Sequence, residues 1–298
     1  MKKELIRKAI TKTAHRIKTK GLLDTVGLAF HITGGLVDFY LNPFSKKQSK
    51  LPLPDYKKIR DDFEKSGLEV IPYVIDVKEF RDWLKEADFP EYYVKSYGDV
   101  FIEKALEHYV GAKLLDLKKD DVLIDVAAAN SPWFEIAERM YRGCTAYALH
   151  LAFSPGINRK KIGADATAMP LPYGFGTKIA LHCAYEMFEG DADIRLLPEA
   201  YRVLSKGGKM VIIPLYMHNF YFAYTHPVTD RKNLDYQGAA RVWWMKHRIR
   251  FARFYSPQAF IERVSANKVD FKLKIYYIEN EKEVSPACYL KFASVFER

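Results

Sequence analysis

A chain of 298 residues can bury a full core, as one large domain or as one domain with a cap. Its 49% hydrophobic and 28% charged residues are those of an ordinary globular protein and exclude a disordered or fibrous chain, while a net charge of +10 points toward phosphate-bearing partners. The three cysteines, Cys144, Cys183 and Cys288, show neither a metal-ligand spacing nor an even disulfide set, so a reducing, cytoplasmic compartment is expected.

The charge is concentrated at the start. Residues 1–20 hold eight Lys and Arg against Glu4 alone, in an arm that reads as an amphipathic helix. No uninterrupted apolar region follows it, so no secretory signal is read. The stretch 22–41 is fairly apolar but is interrupted by Asp24, His31 and Asp38. Each Asp would cost about 2.5–3.5 kcal/mol at a bilayer centre, which argues against a transmembrane helix and leaves a helix lying on an anionic membrane surface, with the protein peripheral there. "NPFSKKQSKLPLPDY", residues 42–56, carries three prolines and reads as a linker.

Residues 57–118 read mostly as helices, a cap in which "VKEFRDWLKEA" sets Phe80, Trp83 and Leu84 at helical spacing and "DVFIEKALEHYVGAKLL" sets Val100, Ile102, Ala105, Leu106 and Tyr109 on one side. From residue 119 short apolar runs alternate with helical patterns: "DVLIDVAA", "TAYALHLA", "TKIALHCA" and "KMVIIPLY" as strands, a helix beginning at Ser131-Pro132, and "ADIRLLPEAYRVLSKGG" as a helix closed by Gly207-Gly208. A basic run interleaved with Trp243, Trp244 and Phe251 spans 241–253, within an insertion at about 217–258, and reads as a phosphate-attracting patch or a solvated face. "FKLKIYYIE" and "CYLKFASVFE" alternate as an antiparallel pair. The expected fold is α/β: a Rossmann-like, mostly parallel sheet over residues 119–298 with an antiparallel C-terminal edge pair, preceded by a helical N-terminal cap and, at 1–56, the basic arm and linker.

Ligands of such sheets bind at the carboxyl ends of the strands, near the topological switch point. Residues 125–131, 150–154, 165–166, 182–186 and 214–218 gather there. An acid ending the first strand, Asp125, suits a ligand ammonium; a helix N-terminus at Ser131 suits a carboxylate or hydroxyl; Asp165 suits an exocyclic amine. Together they describe a pocket for an amino-acid-bearing nucleoside. No zinc set, Walker loop or nucleophile elbow is present to support other chemistries.

At this point residues 121–216, about a third of the chain, resemble the core of class I S-adenosylmethionine-dependent methyltransferases of the small-molecule type. "LIDVAAANS" stands where that family has its acid and glycine-rich loop, "GADATAMPLP" resembles its G-D-A-x-x-L-P-F, and "HCAYEMFEGDADIRLLPEAYRVLSKGGKMVI" resembles its H-V-L-E-H to K-P-G-G segment. The resemblance implies S-adenosyl-L-methionine as cofactor. It places Asp125 near the methionine amino group, Ala127, Ala129 and Ser131 in the glycine places beneath the cofactor, and Asp165 and Ala166 at the adenine. His150 falls where the family has an acid for the ribose hydroxyls, and His182 joins this cofactor set. The loop lacks glycine altogether; alanine and serine can replace it where closeness matters and the local φ is negative. Lys95 and Tyr97 stand where a preceding helix closes the cofactor site by analogy.

The catalytic candidates are His218, His226 and Glu186, the last where the family often has Glu after its fourth strand. Competing readings remain open: a loop histidine on the surface for His218, a packed core histidine for His182, a structural cap for Asp125. The expected activity is methyl transfer to a small-molecule, glycan or lipid-linked acceptor, through a hydroxyl. A nucleic-acid methyltransferase and a catalytically silent fold serving as a scaffold are the alternatives.

Overall fold

In the chain's computed structural model the described residues are 51–226, 229, 234–244 and 249–298, with 22, 25, 26, 46 and 47 besides; the basic arm at 1–20 and part of the linker lie outside them. The chain forms two compact units, a larger one of Leu53–Tyr221 with Arg253–Arg298 and a smaller one of Met1–Pro52 with Phe222–Ala252.

The larger unit begins with α1 (Tyr56–Lys65), β1 (Val70–Tyr73), α2 (Val77–Ala87), α3 (Glu91–Tyr97) and α4 (Phe101–Leu115). It continues with β2 (Val122–Val126), α5 (Trp133–Met140), β3 (Thr145–Leu149), β4 (Gly156–Asn158), β5 (Lys161–Gly163), β6 (Gly176–His182), α6 (Ala192–Val203) and β7 (Leu204–Ile213). The smaller unit contributes β8 (Phe222–Thr225) and β9 (Ala240–Trp243), and a further strand, β10, runs over Ala252–Phe254. The chain then forms α7 (Pro257–Arg263), β11 (Lys272–Ile278), α8 (Glu281–Val284) and β12 (Phe292–Glu297). Among the described residues no helix is long and apolar enough to cross a membrane.

Nine strands form one sheet in the order β1-β11-β12-β7-β6-β2-β3-β5-β4. The pairs β2–β3, β2–β6, β3–β5 and β6–β7 are parallel. β12 runs antiparallel to both β7 and β11, the pair anticipated near the end of the sequence, and β1 adds a parallel strand outside β11. Residues 57–118, read as a helical cap, thus contribute a strand as well as four helices. The chain moves from β2 to β3 on one side and returns to β6 on the other, so the switch point lies between β2 and β6.

Strand alternation assigns the faces. Ile124, Val126, Ile179 and Leu181 pack with residues of α1, α6 and α7. Leu123 and Ala180 pack with α2 to α5. Asp125 and His182, two residues on from those, therefore point to the α4 face. Asp55 and Asp76 cap α1 and α2 by accepting from Lys58 N and Glu79 N. At α5 the helix starts at Trp133, one residue later than Ser131-Pro132 suggests, and Ser131 Oγ accepts from Trp133 N at 3.2 Å. Gly207-Gly208 does not close α6: β7 starts at Leu204 and contains both glycines. A Cβ at Gly208 would lie 2.9 Å from the carbonyl oxygens of Ser205 and Thr177, so only glycine lets the strand pass.

In the smaller unit β8 and β9 pair in parallel, and residues 46–47 pair with β9. The basic run at 241–253 is not one exposed patch. Trp243 and Phe251 are buried, and Arg253, in the larger unit, is fully buried against Asp193. There Asp193 accepts from Tyr255 Oη at 2.6 Å and from Arg263 Nη2 at 2.7 Å, and both arginines donate to Gly190 O. Burial pushes the Asp193 carboxyl up, but the Arg263 bonds and the Arg253 charge outweigh it and hold the group below the ordinary range.

Removing a charge from such a buried network leaves guanidinium groups uncompensated, at a cost of about 3–5 kcal/mol. Asp193→Asn should lower unfolding stability by about that amount in urea titrations at neutral pH. Because the native pKa is depressed, the wild-type advantage is present above the unfolded carboxylate pKa and should shrink as pH falls through the native one.

Candidate active site

The site is built from α4 and the carboxyl ends of β2 and β6. From Glu103 to Ala112 every residue of α4 is buried. Ala105, Leu106 and Tyr109 are buried as the spacing predicts, whereas Val100, just before the helix, is exposed. The polar side of α4, Glu103, Lys104, Glu107 and His108, follows the i, i+1, i+4, i+5 rhythm of one helix stripe and continues to Gly111. That stripe faces the strand ends instead of water. A Cβ at Gly111 would come 2.7 Å from His182 Nε2, so the glycine makes room for the histidine.

Asp125, almost wholly buried, meets His182 Nδ1 at 3.2 Å through Oδ1. His182 packs edge-on to His108 with ring centroids 4.3 Å apart, and His108 stacks on Trp133 and meets Tyr93 Oη at 3.1 Å. Burial holds the Asp125 carboxyl above its ordinary range although the bond to His182 draws it down. Burial, with the Lys104 charge nearby, holds His108 well below its ordinary range.

Beside this lies a second group. Lys104 Nζ donates to Glu107 at 2.6 Å and to Tyr289 Oη at 3.0 Å, and sits over the rings of Tyr289 and Tyr97. Cys183 Sγ donates to Glu186 Oε1 at 3.4 Å and meets Tyr216 Oη at 3.3 Å. Burial works against the Lys104 ammonium, yet Glu107 overcomes it and holds the lysine above its usual range. Burial raises Glu186 to about 7, and it pushes the Glu107 carboxyl up against the opposing pull of the Lys104 ammonium. Among the described residues Asp125 Oδ2, Glu186 Oε2 and His182 Nε2 are buried without a hydrogen-bond partner.

The loop after β2 keeps the left-handed backbone that glycine would favour. Ala127 has φ 61° and Ala129 φ 38°, against the negative φ that would let alanine replace glycine without strain. Cys183, at the end of β6, has φ 48°. Three non-glycine residues in this region flank the switch point, and such strain concentrates where surroundings or function enforce it. The loop is tied down by Ala128 N donating to Leu149 O and Ser131 N donating to Ala128 O.

Of the residues singled out from sequence, Asp125, His182 and Glu186 come together at these strand ends. His182 fits its packed reading, bonded to Asp125 and wedged against α4. Ala127, Ala129 and Ser131 form the adjoining loop. His150 ends β3; its Nδ1 accepts from Ala152 N, and burial lowers its pKa. Asp165 is exposed and accepts from Thr167 N, and Ala166 is buried beside it. His218 is not a surface histidine: it is 4% exposed, and its Nδ1 accepts from Phe220 N. His226 belongs to the smaller unit, where its N–H donates to Ile249 O. Lys95 is exposed and paired with Glu91, while Tyr97 lines the Lys104 group. Sequence reasoning missed Glu103, Lys104, Glu107 and His108. Their signal was a second stripe sharing a face with Gly111.

No protein-family model matches the chain, and no curated protein matches it. Among solved structures it is similar to a Burkholderia thailandensis 1,6-didemethyltoxoflavin-N1-methyltransferase with bound 1,6-didemethyltoxoflavin and S-adenosylhomocysteine, at 14% identity over 75% of this chain and 91% of that one, with a TM-score of 0.45. It is also similar to S-adenosylmethionine-dependent methyltransferases from Mesorhizobium loti (14% identity, 66% of this chain and 100% of that one, TM-score 0.43) and Aquifex aeolicus (12%, 70% and 98%, TM-score 0.39). With TM-scores under 0.5 these likenesses decide nothing further; what the site can do follows from its own residues.

Left-handed alanine costs about 1–2 kcal/mol, so Ala127→Gly and Ala129→Gly should each raise Tm by about 2–4 °C in a thermal melt. A second outcome concerns pH. Glu186, raised to about 7 by burial against 4.5 for the ordinary carboxyl, keeps a proton in the fold that the unfolded chain gives up. Stability should therefore fall as pH rises from about 5 to 7, and Glu186→Gln should flatten that slope in urea titrations across the range.

Proposed function

We propose that the protein is an S-adenosylmethionine-dependent methyltransferase acting on a small-molecule acceptor through a hydroxyl or an amine. The observation that carries this reading is the pair of unpartnered carboxylate oxygens, Asp125 Oδ2 and Glu186 Oε2, at the carboxyl ends of the two strands that flank the switch point. Ionised carboxylates are acceptors only, so a ligand here must bring N–H or O–H donors or a positive charge. The cofactor's amino-acid end carries an ammonium, and Asp125 suits it, oriented by His182. The strained loop of Ala127, Ala129 and Ser131 adjoins Asp125 and suits the cofactor's underside; His150, Asp165 and Ala166 end the next strands, where its nucleoside half would extend.

When bound, the cofactor supplies a methyl group on a sulfonium, an electrophile that needs a positioned nucleophile more than it needs a catalyst. The residues here then have two tasks: to hold the acceptor in line, and to take a proton from it. Glu186 is suited to the second, since a base raised to about 7 is poised for proton transfer at neutral pH. His218, buried with Nδ1 engaged, is a positioning candidate on the loop after β7, and His226 is kept as a candidate of the smaller unit. The basic arm remains a proposed contact with anionic membranes.

Titration calorimetry with S-adenosylhomocysteine tests the reading. Binding is expected, with Asp125→Asn weakening it about ten- to a hundredfold, the effect of losing one charge-assisted hydrogen bond of about 1.5–3 kcal/mol. Absence of heat and of any thermal shift at about 1 mM ligand, which would mean a Kd above about 1 mM and less than about 4 kcal/mol of binding free energy, would favour the silent scaffold instead.

A further inference from the structure

The second buried group says which acceptors the site can take. Its floor is Glu186, Cys183 and the Lys104–Glu107 pair, and its sides are the rings of Tyr216, Tyr289 and Tyr97. Tyr216 and Tyr289 stack with centroids 6.3 Å apart. The floor is buried, whereas Tyr97 and Tyr289 are 37% and 36% exposed. The group therefore has two rings at the surface and its acids beneath them.

The charge count on this floor is uneven. Glu107 and Glu186 share one ammonium, and Lys104 donates to Glu107 and Tyr289, leaving Glu186 Oε2 buried without a partner. Lys104 is the counter-charge of Glu107, and two of its three N–H donors are already engaged, by Glu107 and Tyr289. An incoming phosphate or carboxylate would meet surplus acid; a neutral alcohol would satisfy the lone pairs but not the charge. A protonated amine satisfies both, and tyrosine faces attract cations besides. The position already taken by Lys104 Nζ, above two tyrosine rings and against a carboxylate, shows that the surroundings suit an ammonium.

We propose that the acceptor is an amine, bound as its ammonium by Glu186 beside these tyrosines and methylated on that nitrogen. This rests on the methyltransferase reading. The balance is simple: the ammonium gives one proton to Glu186, the freed nitrogen pair forms the N–C bond to the sulfonium methyl, and the pair of the breaking S–C bond stays on sulfur. The product is a methylammonium, and Glu186 returns its proton to solvent.

The test uses the full chain, radiolabelled S-adenosylmethionine, a pool of primary and secondary amines and a matched pool of their alcohol isosteres. Label should pass to the amine pool and not to the alcohol pool. Thermal shifts without cofactor should show the amine pool stabilising the protein, with Glu186→Gln and Tyr289→Leu each cutting the effect at least tenfold in ligand concentration. S-adenosylhomocysteine should bind both variants within about twofold of wild type, which shows that they fold. Label in the alcohol pool alone, or amine stabilisation unchanged in Glu186→Gln, overturns the amine assignment. If S-adenosylhomocysteine does not bind wild type, the methyltransferase reading fails, and the shifts without cofactor still decide whether this is an amine site.

Discussion

Everything at the strand ends answers to one constraint: α4 buries its charged face. A buried ion costs several kcal/mol unless it is paired and hydrogen-bonded, and breaking such a pair costs more than never having made it. The protein meets that cost with Lys104 against Glu107 and with tyrosine hydroxyls at 3.0 Å from Lys104 and 3.3 Å from Cys183. Gly111 follows from the same constraint, since α4 can lie close to β6 only if nothing projects toward His182. What the arrangement does not neutralise, the free oxygens of Asp125 and Glu186, is what a ligand can complete.

Two kinds of disfavoured structure coincide here. Left-handed alanines and a left-handed cysteine flank the same ends of β2 and β6 where carboxyls are raised by burial. On the opposite face of the sheet the contrast is plain: Asp193 is fully buried too, yet two arginines and Tyr255 saturate it. One face holds a closed network that stabilises, and the other an open one that waits for a partner. Natural proteins keep such unfavourable features where activity demands them and offset them elsewhere.

The frame was legible because buried strands are short apolar runs and helices repeat at 3.6 residues; β2, β3, β6, β7, α6 and the β11–β12 pair sit where those patterns place them. Asp125 and Glu186 were legible by position at strand ends. The rest obeyed rules that sequence does not display. A polar stripe on a helix ordinarily means water, so Glu103 to His108 pass for a solvated face until the strands are docked on it. β1, only four residues and carrying Pro72, has too little pattern to stand out from the helices around it. Arg253 joins a basic run in sequence, yet tertiary contact commits it to Asp193. The φ of Ala127 and Ala129 is set by where the loop must go after β2, which composition does not record.

The placement of β12 bears on how the molecule is made. Residues 292–297 lie inside the sheet, between β7 and β11, and β1 closes on β11 from the far end of the chain; the bonds between Ile75 and Asn280 span 205 residues. Until residues 272–297 have left the ribosome, β7 has a bare edge and β1 has nothing to pair with. The nascent chain must therefore carry an unfinished sheet over the 205 residues that separate Ile75 from Asn280. Its final closure depends on contacts of very high sequence separation, the kind that fold slowly and leave strand edges exposed to association meanwhile.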